Sequence, residues 1–352
     1  MDSCYAKTSI GPCAATAAML FFVLLMAISN MAVAQAIGVC YGMKGDNLPP
    51  RAEVVDLFRT NNLQRMRLYD PDKQALEALR GSGIEVMLGI PNEELEHLAE
   101  QDSAYASNWV QQNVLQYSAD VKFKYIAVGN EACPTTNDLK LDFCPHILGA
   151  MQNIYMEVER AGLQDQIKVS TAVYSAVLSD TYPPSNSVFN PSVLSFMQQI
   201  VGFLVQKRAP LLANVYPFFA KLYDQNITPE FALFTSPSAD QYGYQNLFDA
   251  MVDGFYYALE KVDASSLDVV VSESGWPDAP DSIATTENAQ TYYSNLIQHV
   301  NSGSGTPKKP GKPIETYLFA MFDENLKGGD PREKHFGLFF PNKQPKYQTN
   351  FS

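Results

Sequence analysis

The sequence predicts an α/β protein that folds as a single (β/α)8 (TIM) barrel, and three observations support this. The 352 residues lie in the range that one such barrel fills. Short apolar runs recur along the chain, each followed by a segment of helical period. These runs are nearly continuous in apolar residues, as expected of parallel strands that are covered on both faces.

Eight apolar runs are the candidate strands. In chain order they are AIGVCYG (36–42), RMRLYD (65–70), EVMLGI (85–90), YIAVGNE (125–131), KVSTAVY (168–174), LLANVYP (211–217), LDVVVSES (267–274) and TYLFAMFDE (316–324). Between them, residues such as Ala289, Leu296 and Val300 recur at helical spacing and predict a helix with one buried stripe. The Gly- and Pro-rich segment 301–313 precedes the last strand, so we expect a loop on the far face of the barrel.

The first 34 residues have the pattern of a secretory signal peptide. Lys7 provides a weakly positive start, an apolar run follows at 14–29, and Ala-Val-Ala at 32–34 is a small-residue cleavage site. We expect cleavage after Ala34, which leaves residues 35–352 as one catalytic domain, secreted to the apoplast or cell wall without a membrane anchor. The alternative is an uncleaved anchor.

Charge limits the classes of partner. The net charge is −13 and the isoelectric point is about 4.8, which argues against nucleic acid or an anionic membrane and favours a neutral or cationic ligand.

Three cysteines remain after the predicted cleavage. Cys133 and Cys144 lie in one polar stretch and are a possible disulfide, whereas Cys40 lies in an apolar run and is a candidate buried thiol. Three pairings are open on sequence grounds.

Several candidate strands end on polar or ionisable residues, which would share the carboxyl-terminal rim where barrel enzymes carry their chemistry. These are Tyr69, Asp70, Asn130, Glu131, Tyr174, Asn214, Tyr216, Glu273, Asp323 and Glu324.

Glu131 and Glu273 are the notable pair. Two carboxyl groups across a barrel mouth suit hydrolysis of a glycosidic bond, in which one protonates the leaving oxygen and the other attacks the sugar carbon. Lys327 is the candidate cation that keeps the nucleophile ionised. Either glutamate alone is more typical of a solvated loop.

Aromatic residues are frequent at the same strand ends. Tyr41, Tyr69, Tyr216, Phe218, Trp276 and Phe322 would present flat faces to pyranose rings. The four histidines are widely separated without metal-ligand spacing, and no Gly-x-Ser-x-Gly motif occurs. We therefore expect neither a metal nor a cofactor.

Six motifs resemble, in order, those of plant glucan endo-1,3-β-glucosidases of glycoside hydrolase family 17. They are IGVCYGMKGDNLP, MRLYDPD, YIAVGNEA, LANVYPFFA, VVVSESGWP and LFAMFDENLK, and the likeness extends from about Ile37 to Phe351. The resemblance implies a (β/α)8 barrel and retaining endo-hydrolysis of β-1,3-glucan by a monomer.

By motif, Glu131 would be the acid/base and Glu273 the nucleophile, with Glu324 and Lys327 as an auxiliary pair. Asn130 would hold the substrate's 2-hydroxyl and Tyr216 would hydrogen-bond the nucleophile. Tyr69, Tyr174, Asn214, Phe218, Trp276 and Phe322 would complete the substrate-binding set.

Two alternatives stay open: a 1,3-1,4-β-glucanase on the same fold, and a non-catalytic glucan-binding defence protein. The family commonly has a tyrosine where this chain has Phe218 and an aromatic residue where it has Lys221, which leaves the details of the groove undetermined.

Overall fold

The structure is a computed structural model that describes residues 37–100, 104–133 and 143–351. The predicted signal peptide at 1–34 lies outside these ranges, so its cleavage stays a prediction. Within the described ranges, no helix is both long and apolar enough to cross a membrane.

Eight parallel strands close into a barrel, which confirms the predicted fold class. Their order around the barrel follows the chain, and the last strand pairs back onto the first, with Ile37 opposite Thr316. The strands are β1 (Ile37–Tyr41), β2 (Arg65–Leu68), β3 (Glu85–Ile90), β4 (Lys122–Asn130), β5 (Lys168–Tyr174), β6 (Leu211–Asn214), β7 (Val269–Ser274) and β8 (Thr316–Leu318).

Helices cover the outside of the barrel between the strands. They are α1 (Arg51–Thr60), α2 (Lys73–Leu79), α3 (Leu95–Ala99), α4 (Ala104–Val110), α5 (Cys144–Arg160), α6 (Leu194–Lys207), α7 (Pro217–Tyr223), α8 (Pro229–Ala232), α9 (Leu247–Glu260) and α10 (Thr286–Ser302). After β5, a two-residue antiparallel ladder joins Leu178–Ser179 to Val188–Phe189.

Helix α10 illustrates how the sequence sets an element. At the start of the helix, the Thr285 side chain accepts a hydrogen bond from the Asn288 amide, and such an N-cap stabilises a helix by about 1 kcal/mol. Gly303 ends the helix in the left-handed conformation, with φ of 67°. The buried stripe contains Ala289, Tyr292, Tyr293, Leu296, Ile297 and Val300, which confirms the predicted spacing. The loop that follows precedes β8, as expected.

Strands β6 and β8 end three and six residues before their apolar runs do. Strand β6 ends at Asn214 and β8 at Leu318, so Tyr216 and Glu324 lie in the segments beyond. After β8 the chain bonds to another segment: the Ala320 amide donates to Phe336 O at 2.9 Å, and the Leu338 amide donates to Ala320 O at 2.8 Å. Apolar composition could not distinguish this pairing from a longer barrel strand.

The cysteines follow the expectation. Cys133 and Cys144 are joined by a disulfide over a separation of 11 residues, and Cys40 is a buried free thiol. A loop of this length gains about 3 kcal/mol of stability in the chain-entropy model. The disulfide fixes the chain just after β4 to the first turn of α5.

Candidate active site

The carboxyl ends of three strands bring predicted residues together. Asn214 ends β6 and lies opposite Glu273 of β7 in the sheet register. Asn130 ends β4, and Glu131 follows it. The Asn214 amide nitrogen donates to Asn130 Oδ1 at 3.0 Å and to Glu131 Oε1 at 2.8 Å. These contacts place Asn130, Glu131 and Asn214 in one hydrogen-bonded cluster at the strand end beside Glu273.

Glu273 is a buried carboxylate with three donors. Oε1 accepts from the Tyr69 hydroxyl at 2.8 Å and lies 2.9 Å from Arg67 Nη1. Oε2 accepts from the Tyr216 hydroxyl at 2.6 Å. A carboxylate that is only 7% exposed needs such compensation, since an unpaired buried charge is costly. The contacts also fix the direction of the side chain.

Arg67 is the residue that sequence reasoning missed. It is 1% exposed, and apart from Glu273 it donates to Ser272 O at 2.9 Å, to Asn214 Oδ1 at 3.1 Å and to Asn130 Oδ1 at 2.8 Å. The planar guanidinium suits several acceptors held at fixed angles. Arg67 therefore connects the nucleophile candidate to the asparagines beside Glu131.

A signal for Arg67 existed in the sequence. In β2, Arg65 and Arg67 alternate with Met66 and Leu68, and side chains two residues apart point to the same side of a strand. A cation inside a strand predicted to be covered on both faces must have a buried anionic partner.

Lys327 is not the cation at the nucleophile, which corrects our expectation. Its ammonium pairs with Glu333 at 2.9 Å and lies 4.2 Å from the centre of the Phe319 ring. The cation that contacts Glu273 is Arg67. The sequence suggested Lys327 because it follows Glu324 closely, but closeness along the chain does not define the partner in space.

Glu324 is buried beside the chain that follows β1. It is 4% exposed, and its Oε1 accepts from the Lys44 amide at 2.7 Å. A Cβ at Gly42 would lie 2.3 Å from the Glu324 carboxylate, so only glycine permits this approach. Burial raises the pKa of Glu324, and the positive charge of Lys327 opposes that rise.

Glu131 is held in an unusual backbone conformation at the mouth of the barrel. Its φ is 52°, a left-handed value that costs a non-glycine residue about 1–3 kcal/mol. The Glu131 amide donates to Ala172 O of β5 at 2.8 Å, which stabilises this conformation. The Glu131 carboxylate in this conformation accepts a hydrogen bond from the Asn214 amide nitrogen at 2.8 Å.

The pKa of Glu131 is raised to about 7, first by burial and second by the negative charge of Glu273, while the Asn214 hydrogen bond opposes the rise. The residue is nevertheless open to solvent on one side. Water on that side weakens the effect of burial and of the neighbouring charge without changing their direction. The two glutamates thus differ: Glu131 is inclined to hold a proton near neutral pH, and Glu273 is surrounded by donors.

Three of the predicted sugar-binding aromatics lie in the core, which corrects that expectation. Phe218, Trp276 and Phe322 are 0%, 1% and 2% exposed. Phe218 packs edge-on against Trp276 with ring centroids 5.1 Å apart, and the Trp276 indole donates to Ile283 O at 2.8 Å. Tyr41 is buried as well. Their bulk is used in packing behind the rim, so they have no open face for a sugar.

Other aromatic side chains reach the surface near the cluster. Tyr174, at the end of β5, and Phe219, in α7, are partly exposed, and Tyr223 at the end of α7 is 79% exposed. Sequence reasoning overlooked Phe219 and Tyr223, although their four-residue spacing on a short helix puts them on one face.

One group among the described residues has the spacing of metal ligands. Atoms of Asp278, Asp323 and His335 lie within 4.8 Å of one another. The Lys346 ammonium lies 2.9 Å from Asp278 and 2.8 Å from Asp323, and the lysine side chain is 2% exposed. This buried ammonium offsets part of the negative charge of the two carboxylates, so Asp278, Asp323 and Lys346 form an ion-pair cluster.

Comparison with known proteins places these features in a family. The family model for glycosyl hydrolases family 17 matches residues 37–351. A glucan endo-1,3-beta-glucosidase, acidic isoform GI9, of Nicotiana tabacum is 52% identical over 96% of this chain and 97% of its own length. A glucan endo-1,3-beta-glucosidase of Vitis vinifera is 51% identical over 95% of this chain and 96% of its own.

A solved structure gives the same result. CJP38, a beta-1,3-glucanase and allergen of Cryptomeria japonica pollen, superimposes with a TM-score of 0.86 at 45% identity over 90% of this chain and 99% of that one. Because the family model matches nearly the whole described chain, and the barrel and the two dissimilar glutamates agree with it, the protein belongs to glycosyl hydrolases family 17.

Proposed function

We propose that this protein is an endo-acting glycosidase that hydrolyses internal 1,3-β-D-glucosidic linkages of β-1,3-glucans with retention of anomeric configuration. The observation that carries the proposal is the pair of glutamates at the ends of β4 and β7, one with a raised pKa and one surrounded by donors. The linkage follows from the names of relatives that are about half identical over most of the chain.

In the first step, the protonated Glu131 gives its proton to the glycosidic oxygen while Glu273 attacks the anomeric carbon. The bond from that carbon to the glycosidic oxygen breaks, a bond to a Glu273 oxygen forms, and the leaving chain departs with a free 3-hydroxyl. A pKa near 7 suits Glu131 to this task, because a large fraction of its carboxyl groups is protonated at mildly acidic pH.

In the second step, Glu131, now a carboxylate, takes a proton from water as the water oxygen attacks the anomeric carbon. The bond to Glu273 breaks, and Glu131 is again protonated. One water molecule is consumed, and two displacements at the same carbon retain its configuration.

The surrounding residues position the two glutamates. Arg67, Tyr69 and Tyr216 hold Glu273 in one orientation, and such pre-positioning lowers the entropic cost of reaching the transition state. Asn130 accepts from Arg67 at 2.8 Å through its oxygen, which directs its amide nitrogen away from the guanidinium, and we assign that nitrogen to the 2-hydroxyl of the reacting sugar. Tyr174 completes the substrate-binding set. Asn214 is 1% exposed, and we assign it to positioning Glu131 through its hydrogen bond at 2.8 Å rather than to contact with the substrate. Glu324 with Lys327 supports the rim.

The decisive experiment compares release of reducing ends from laminarin and from mixed-linkage 1,3-1,4-β-glucan, with product sizes and anomers resolved. We expect rapid release of short β-anomeric oligomers from laminarin. Preference for the mixed-linkage polymer would identify the protein as a 1,3-1,4-β-glucanase instead. Binding to laminarin without release would make it a non-catalytic glucan-binding protein, and an inverted product would refute the retaining mechanism.

We further propose that the protein is secreted after cleavage behind Ala34 and acts as a monomer on polysaccharide outside the cell. Expression in plant cells, followed by N-terminal sequencing of protein from the extracellular fluid, tests the cleavage. Light scattering of the purified protein tests the monomer.

A further inference from the structure

A line of aromatic rings leads from the nucleophile candidate to the surface. Tyr216 bonds Glu273 through its hydroxyl, and its ring lies 5.3 Å from that of Phe219. Phe219 in turn stacks on Tyr223, with centroids 6.5 Å apart and planes inclined by 15°. The three residues are adjacent along one side of α7 and its first turn, because residues three, four and seven apart lie on the same helix face.

Exposure is greatest at the outer end of this line. Tyr216 and Phe219 are both partly buried, and Tyr223 is 79% exposed. Phe219 is also held from behind by Phe218 and Phe336, with ring centroids 5.2 Å and 6.2 Å away. The packing fixes the inner ring, and the outer ring presents a nearly parallel face to solvent.

The outer end of the line leaves apolar area in contact with water. The Tyr223 ring, 79% exposed and stacked on Phe219, can bury that area against a ligand. Along α7, the seven residues from Tyr216 to Tyr223 correspond to about 10 Å at 1.5 Å per residue. An endo-acting enzyme must hold its polymer on both sides of the reacting bond, so a chain that passes Glu273 has to run along some part of the rim at this distance.

We propose that Tyr223, backed by Phe219, is a distal subsite that stacks against a glucose ring of the β-1,3-glucan chain. The apolar C–H face of a pyranose covers the outer ring, and sugar hydroxyls stay in solvent. The subsite makes no contact with the reacting atoms, so it contributes binding energy equally to substrate and transition state. This inference rests on the proposed function for the identity of the polymer.

Calorimetry on the inactive Glu273→Gln protein tests the subsite independently of turnover. Affinity is measured for laminari-oligosaccharides of increasing length, with and without Tyr223→Ala. We expect Tyr223→Ala to weaken binding of long chains by about 2- to 10-fold, to leave the shortest chains unaffected, and to be rescued by Tyr223→Phe, which keeps the ring.

Tyr155→Ala is the matched control, because this partly exposed tyrosine packs on Phe203 at 5.8 Å on the outer helices. In the active protein, Tyr223→Ala should raise KM for laminarin and leave kcat unchanged. An equal loss of affinity at every chain length, no loss at all, or no rescue by phenylalanine would overturn the subsite. If no β-1,3-glucan binds to any variant, both the subsite and the proposed function fail, whereas a length-dependent loss without turnover in the parent rejects only the catalytic part.

Discussion

Replacing Arg67 by methionine tests the identification of the cation that serves the nucleophile. The guanidinium has four contacts within 3.1 Å: Glu273 Oε1, Asn214 Oδ1, Ser272 O and Asn130 Oδ1. Methionine has similar length and fills the space, but it removes every one of these donors. Glu273 would then be a buried carboxylate without its cation.

The expected loss is large. Removing one partner of a buried ion pair costs about 3–5 kcal/mol of stability, because the remaining charge is left uncompensated. A nucleophile displaced by as little as about 1 Å can lose about 10²-fold in rate.

Lys327→Met is the matched control. Its partner is Glu333, and the two side chains are 22% and 26% exposed, so the pair is worth about 0–1 kcal/mol. Thermal unfolding by circular dichroism measures the loss of stability, and kcat on laminarin measures the loss of rate. Arg67→Lys keeps the positive charge but lacks the planar guanidinium, so its stability and its kcat should lie between those of the parent and those of Arg67→Met. If Arg67→Met matched the parent in rate and stability while Lys327→Met lost activity, the assignment of the cation would be wrong.

Three further predictions concern the glutamates and the disulfide. Glu131→Gln should abolish hydrolysis of laminarin but spare glycosides whose leaving group needs no proton. In the parent, kcat/KM should fall as pH rises through about 7 and Glu131 ionises, and Glu131→Gln should not show this fall with the spared glycosides. A parent kcat/KM that does not change between about pH 5 and 9 would contradict the acid assignment. Glu273→Gln should abolish turnover and retain glucan binding by calorimetry, and hydrolysis at the parent rate would refute its role as nucleophile. Cys133→Ser with Cys144→Ser should reduce the free energy of unfolding by about 3 kcal/mol in denaturant titration, and an unchanged midpoint would show that the disulfide does not constrain the chain.

Predicting the strand ends worked best where burial and chain order act together. The valines of β7 are apolar and β-branched, so the strand and its buried position follow from local sequence. Glu273 comes after these valines, at the carboxyl end of the strand, where barrel enzymes carry their chemistry. The same holds for Asn130 and Glu131 after β4. The disulfide was one of three open pairings, and the fold selected it by bringing the first turn of α5 next to the end of β4.

The predictions failed where burial and partnership had to be inferred from residue type. An aromatic residue at a strand end can point to the groove or pack behind it, and Phe218, Trp276 and Phe322 pack behind it. Lys327 was chosen as the cation because it is near Glu324 in the chain, whereas the contact is made by Arg67, 206 positions before Glu273 in the sequence.

The sequence alone determined the barrel, the order of its strands and the position of the two glutamates at the rim. Periodicity, strand length and apolar content are properties of short segments, and parallel strands with connecting helices have few ways to close. Only the tertiary structure decided which side chains surround each carboxylate, and therefore why the pKa of Glu131 is raised while Glu273 is held by Arg67, Tyr69 and Tyr216. Electrostatic environment depends on distances between residues that are far apart in the chain, and these distances exist only once the barrel has closed.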